Sequence, residues 1–335
     1  MLLGCSGGEL DARLVDYREA LEERIGVTAE TSRPLPKTEP GALSLELAGA
    51  NSTNALLLPR RRERRLAVHD LRMGPFDFLA TIGCSLSEVV AQRNSSMGKV
   101  LVPTRRFGHE LAVVDAMKEC LPKLSHERAE RFKSKLSTKY AELGRHRWNA
   151  VWLDNDLERY LSFGPASLIG GADSRDGTAQ LMRASRALSA DDVSELESAF
   201  EQLRDDASMG STVALAGRAA TEFERVAGVV GQHSVTGCRA EERRLAQIFQ
   251  NQYLPLQVEL GDLNRKVKGF VDAFDALYAS SVNGVEVPEK MEVFQLAVLG
   301  SEGTPGVWGR FQQSMRAHAA AWAPLLEECG VIPRP

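Results

Sequence analysis

No run of about 18 apolar residues occurs in the 335-residue sequence, so as written it encodes no helix that would cross a bilayer. No two cysteines form a CxxC pair, and no cysteine–histidine grouping has zinc-site spacing. Histidine is scarce and scattered, six residues in all. The His-Glu pairs at His109 and His126 lack the second histidine four residues on that a zinc-protease helix needs; Val113 and Glu130 stand there. Gly98-Lys99 has no glycine five residues before it and no Ser or Thr after it, which excludes a phosphate-binding P-loop. "GCSLS" at 83–87 lacks the Gly-x-Ser-x-Gly elbow of a serine hydrolase. Asp70 and Asp77 could be paired carboxylates, but charged residues are too common for that to signify. A basic excess is absent as well. The net charge is -4 and the pI about 6.0, so no nucleic-acid partner is expected. These absences lean against an enzyme and leave no cofactor or metal to expect.

What is present is globular. The chain is 43% hydrophobic and 26% charged, and long enough to bury one large core or two ordinary ones. The fold class it implies is mainly α, a helical bundle, with short strands in residues 42–73 where "LSLEL" and "LAVHDL" alternate. Leu10, Leu14, Tyr17, Leu21 and Ile25 follow helical spacing, with Gly26 as the C-cap. Three prolines between 31 and 41 make an extended connector. Residues 75–93 read as short helices broken at Gly83-Cys84, 104–121 as one helix and 125–143 as another, with "RWNAVWLDNDLERYL" continuing the helical layer.

Four glycines and a proline between 162 and 178 mark the expected domain boundary. It separates an N-terminal, mainly helical part (6–161) from a C-terminal helical bundle (173–335). Ser189 is the expected N-cap of the next helix, with Asp192 as its partner. The strongest periodicity is Leu256, Leu260, Leu263, Val267, Phe270, Phe274 and Leu277, three heptads of apolar seam begun by Pro255. Neighbouring apolar stretches favour packing within one chain over a coiled-coil dimer. The last helix is expected to open at Thr304-Pro305 and to carry Trp308, Phe311, Met315, His318, Trp322, Leu325 and Cys329 on one stripe. His318 there reads as a hydrogen-bonded core residue.

Two polar clusters stand out. "RRRERR" at 60–65 holds five arginines. It reads as a solvated edge or, functionally, as a contact for phosphates of lipid headgroups or nucleic acid. "AQRNSSMGKVL" at 91–101 supplies Arg93, Asn94, Ser95, Ser96 and Lys99. Its Asn and Ser suit helix-end and turn caps. As a ligand site, Arg93, Asn94, Ser96 and Lys99 would hold an anion, capped by Trp148 and Trp152.

The chain begins "MLLGCSGG", and Leu2-Leu3-Gly4-Cys5 reads as the cleavage box of a bacterial lipoprotein. Met1 is then expected to be an internal start within a longer gene, because the charged and apolar parts of a signal peptide do not precede the box. With lipid on Cys5, four cysteines remain, and they allow three connectivities. Cys84–Cys120 with Cys238–Cys329 keeps each bridge within one half of the chain. Each bridge would add roughly 4 kcal/mol if unstrained.

The box, "PRRRERRLAVHDLRMGPFDFLATIGC" at 59–84, "AQRNSSMGKV" at 91–100, "RWNAVW" at 147–152 and "EECGV" at 327–331 occur in one order. Together they resemble an uncharacterised proteobacterial lipoprotein family, catalogued as domain of unknown function 3080. The resemblance implies export and a lipid on Cys5 that anchors the protein to the membrane; it implies no catalytic residues. Ser6 after the cysteine implies the outer membrane, facing the periplasm. The reading that follows is a lipid-anchored envelope protein acting as a non-catalytic binding or scaffolding module, with an envelope protein as candidate partner. One alternative is an envelope enzyme or small-ligand binder using the cluster at 93–99. The other takes Met1 as the true start and makes a cytosolic protein whose arginines bind nucleic acid.

Overall fold

The stripe Leu10, Leu14, Tyr17 and Leu21 is the buried face of helix α1 (Gly7–Ile25). Gly26 ends it at φ +75°, a left-handed conformation that glycine adopts freely, with its N–H on the Glu22 carbonyl at 3.1 Å. This computed structural model describes residues 7–26, 58–68, 74–161, 177–204, 208–233, 235–301 and 303–331. Cys5, the connector 31–41, "LSLEL" and Asp70 lie outside them.

The fold class is mainly α. α2 (Arg61–Arg64) sits in an irregular stretch, and residues 58–68 contain no strand, contrary to expectation for that part of 42–73. α3 (Pro75–Leu79) and α4 (Ser85–Asn94) are divided at Gly83, φ +92°, where the break was expected. α5 (Ser96–Lys99) and α6 (Pro103–Cys120) follow. α7 (His126–Trp152) runs unbroken through the position where the sequence suggested an end. The Asp154 carboxylate then starts α8 (Asn155–Leu161) by accepting the N–H groups of Asp156 and Leu157 at 2.9 and 3.0 Å.

The remaining chain holds α9 (Gly177–Ser189), α10 (Val193–Glu201), α11 (Ser208–Gly231), α12 (Ala240–Ile248), α13 (Gln257–Ser281), α14 (Glu289–Leu299) and α15 (Val307–Glu328). Two helix starts differ from expectation. Ser189 ends α9, its Oγ donating to the Ser185 carbonyl. The chain reverses through Asp191 at φ 55°, and Asp192 becomes the N-cap, accepting the Glu195 N–H at 3.0 Å. Thr304-Pro305 does not open α15. It pairs antiparallel with Gly300-Ser301 in a tight hairpin, and Gly306 caps the helix instead. A Cβ at Gly306 would lie 2.4 Å from the Val298 carbonyl oxygen, so the hairpin closes only over a glycine.

All seven seam residues of 256–277 are buried, none more than 4% exposed. They pack within the chain, where α13 meets α9, α11, α15 and α7, so the periodicity is satisfied without a second copy. One apolar cluster takes Phe107, Trp148 and Leu161 from before the expected boundary and Leu181, Phe274 and Phe311 from after it. Both parts of the chain therefore share a core. The sulfurs of Cys84 and Cys120 lie 2.15 Å apart, joining the start of α4 to the end of α6. Those of Cys238 and Cys329 lie 2.06 Å apart, joining the turn before α12 to the end of α15. Both pairs are at disulfide distance.

His318 is fully buried, its Nε2 2.9 Å from the Tyr17 hydroxyl and its ring against Phe223 and Tyr253. It is the core histidine expected. Burial pushes its pKa from 6.5 down to about 3. The unfolded chain therefore takes up this proton near pH 6.5 and the folded chain only near pH 3. The stability it contributes is complete above the unfolded value and is lost as pH falls toward the folded one. Urea denaturation at about pH 7 and about pH 5 should show wild type losing about 2 kcal/mol more on acidification than His318→Gln. Equal losses in the two proteins would rule out this linkage.

Candidate functional site

The arginine run is divided by burial. Arg64 is 1% exposed, and its guanidinium donates to the carbonyls of Pro59, at 2.6 Å, and Trp152, and to the Glu158 carboxylate. Burial works against its charge and Glu158 partly restores it. Arg61 donates to Asn155 Oδ1 at 2.8 Å and to the Leu153 carbonyl. Glu63 accepts from the Arg60 N–H at 3.0 Å and from Lys290 at 2.8 Å. From α7, Trp148 Nε1 donates to the Arg64 carbonyl at 2.6 Å. Asn149 brackets the Leu66 backbone, accepting its N–H at 2.9 Å and donating to its carbonyl at 2.8 Å. These bonds hold residues 59–66 against the end of α7.

What they leave outside is a row of cations. Arg61, Arg62 and Arg65 line a cleft of about 790 Å³ together with Arg106 of α6. His146 and Asn149 of α7 form part of its wall. The rest is apolar: Ala67, Val68, Leu101, Pro103 and Leu153. Among the described residues no carboxylate lines it. Arg62, Arg65 and Arg106 make no ion pair among the described residues.

Behind the wall lies a buried polar group. Lys139 and Glu110 pair at 2.5 Å with side chains 8% and 4% exposed. His146 Nε2 lies 4.0 Å from Glu110 Oε2 and has no hydrogen-bond partner among the described residues. Burial lowers the His146 pKa; Glu110 opposes this, while Lys139 and Arg106 add to it. The imidazole is therefore neutral at neutral pH.

A second cleft of about 420 Å³ adjoins the first across Leu101 and Pro103. Its arginines are already paired: Arg105 with Glu197 at 2.8 Å, and Arg159 and Arg204 with Asp156 at 3.2 and 3.1 Å. The first cleft is thus the one with spare positive charge.

The cluster at 93–99 does not make the pocket proposed from sequence. Arg93 donates to the Gly98 carbonyl at 2.9 Å, and Ser95 Oγ accepts the Gly98 N–H at 3.0 Å while donating to the Gln92 carbonyl. Asn94 and Ser96 are exposed, and the side chain of Lys99 lies outside the described residues. Neither cleft is lined by these residues. A turn between two short helices has carbonyls and amides to satisfy, and Arg93 and Ser95 satisfy them. Trp148 and Trp152 cannot cap such a site. Both are buried in the core, with Trp152 Nε1 bonded to Ser281 Oγ at 2.9 Å.

Sequence reasoning found the arginine run but missed Arg106, His146 and Asn149. His146, Asn149 and Leu153 stand three and four residues apart, one face of a helix carrying two polar side chains. That was the available signal. Asp77, weighed as a paired carboxylate, is held by Lys135 at 2.6 Å. Among the described residues no three His, Cys, Asp or Glu side chains gather as a metal site.

Arg64→Met should cost about 3 kcal/mol, because it leaves two buried carbonyls without this donor and takes one cation from the Glu158 carboxylate. Guanidinium denaturation would measure this. Arg64→Lys should recover only part of the loss, since one ammonium cannot reproduce the three-way fork. A loss below about 0.5 kcal/mol for Arg64→Met would show the clamp to be incidental.

No curated protein and no solved structure matches the chain. The family model described as Protein of unknown function (DUF3080) matches residues 42–333, and the chain belongs to that family.

Proposed function

We infer that this protein is a lipid-anchored, non-catalytic binding module of the bacterial cell envelope, held at the outer membrane through Cys5, and that the arginine cleft is its anion-binding site. The observation that carries the binding reading is the set Arg62, Arg65 and Arg106, which line one cleft without an ion pair among the described residues. Guanidinium groups pair with phosphate and carboxylate through parallel N–H donors, and such charge-assisted bonds are among the stronger polar contacts. The envelope reading is supported by Leu2-Leu3-Gly4-Cys5 and by two cysteine pairs at disulfide distance, an arrangement suited to an oxidising compartment. Several acyl chains on Cys5, at about 0.8 kcal/mol per buried methylene, would make the anchor effectively permanent. The anchored body would then present the cleft to the periplasm or to the headgroup layer.

Three measurements test this reading. Metabolic palmitate labelling of the full gene product should give label on wild type and none on Cys5→Ala. Label that survives the substitution removes the anchor. Denatured, unreduced mature protein should show no reactive thiol; about five would instead favour a cytosolic protein. For the cleft, pyrophosphate should raise the melting temperature of wild type and leave an Arg62→Ala/Arg106→Ala variant unmoved. Equal shifts in both proteins would exclude the cleft as the anion site.

A further inference from the structure

We propose that the ligand of the arginine cleft is an amphiphilic phosphate monoester, its headgroup held by Arg62, Arg65, Arg106 and His146 Nε2 and its apolar part laid along Val68, Leu101, Pro103 and Leu153. This deepens the anion-binding reading above and rests on it.

The size of the cleft is the first argument. At about 790 Å³ it falls among sites that take organic molecules and is far too large for an inorganic ion. Its composition is the second. Arginine shares the lining with Val68, Leu101, Pro103 and Leu153, and among the described residues no carboxylate joins them. A small hydrophilic anion would use only the arginines. The adjoining cleft adds apolar surface, Val100 and Val102, which are 73% and 44% exposed. Large aliphatic side chains left in water beside a cation-lined cleft suit a ligand with both an anionic and an apolar end.

The headgroup chemistry follows from the donors. Three arginines lining one cleft exceed what a single carboxylate needs. They match a phosphate monoester, which offers three terminal oxygens and up to two negative charges. His146 adds an independent observation. Its side chain is 4% exposed, it lines the cleft, and its Nε2 lacks a hydrogen-bond partner among the described residues. A buried ring nitrogen without a partner costs stability, and a ligand oxygen at that place would remove the cost. The tautomer with hydrogen on Nε2 donates to a phosphate oxygen without needing a charge. The adjoining cleft lacks this combination because its arginines are held by Asp156 and Glu197.

Isothermal titration on the mature, folded chain can separate the ligand classes, using methyl phosphate, dodecyl phosphate below its micellar concentration and neutral dodecyl maltoside. Dodecyl phosphate should bind one per chain, at least ten-fold tighter than methyl phosphate, and the maltoside should not bind. Arg62→Ala/Arg65→Ala changes two exposed side chains and should weaken both phosphates ten-fold or more while the melting temperature without ligand holds. Leu101→Ser should weaken dodecyl phosphate several-fold and leave methyl phosphate unchanged. His146→Gln should weaken both phosphates. Equal affinity for the two phosphates, both lost in the arginine variant, would overturn the amphiphile and leave the anion site standing. Binding of the maltoside as tight as that of dodecyl phosphate would overturn headgroup recognition. No binding of either phosphate would overturn both this proposal and the anion-binding reading.

Discussion

Trp148 and Trp152, one turn apart near the end of α7, join the core of this protein to its surface site. Their rings lie tilted to each other with centroids 5.6 Å apart and meet Phe274 and Tyr278 of α13 edge-on at about 6 Å. The same segment hands bonds outward. Trp148 Nε1 reaches the Arg64 carbonyl, the Trp152 carbonyl receives the Arg64 guanidinium, and Asn149 brackets Leu66. A helix end anchored in the central cluster thus fixes a stretch of chain that has almost no regular structure of its own. The cleft depends on that fixation, because three of its arginines belong to the pinned stretch and part of its wall belongs to α7.

Positive charge here serves two purposes that sequence proximity conceals. Arg64 spends its charge on backbone carbonyls and one carboxylate in a nearly dry site. Arg62 and Arg65, two residues before it and one after, face the cleft. The difference is geometric. One turn of helix sends neighbouring side chains to different sides, so one arginine is turned into the body and the others away from it. The adjoining cleft shows the alternative outcome, in which arginine and carboxylate meet across helices and cancel. A chain of net charge -4 can therefore carry a local cationic site.

Much of the fold was legible in the sequence because apolar spacing records which face of each helix is buried. The stripe of α13 is buried as read, those of α1 and α15 are buried except for half-buried Ile25, Trp308, Met315 and Cys329, and His318 sits among aromatics as a core residue. The readings that differed concern ends and turns. At Ser189 and Thr304 the residue type was right for a cap, but chain reversal through Asp191 and hairpin closure at Gly300 moved the cap a few residues on. Capping residues report that a helix starts nearby; which one is used depends on the path of the chain entering it. The cluster at 93–99 illustrates the same limit for function. Arg93 looks like a ligand donor in one dimension, and in three it bonds the Gly98 carbonyl and closes a turn together with Ser95.

The sequence by itself determined the helical class, the register of the buried stripes, the likeness to the DUF3080 family and the presence of an arginine run. These follow from local periodicity and ordered motifs, which need no knowledge of what packs against what. Tertiary structure decided which arginines are used up and which are available. It also decided that Arg106 and His146, at 42 and 82 positions from Arg64, share a cleft with its neighbours. Burial and pairing are properties of surroundings, and the surroundings of Arg62 and Arg64 are assembled from α6, α7 and α8, segments that meet only in the folded chain.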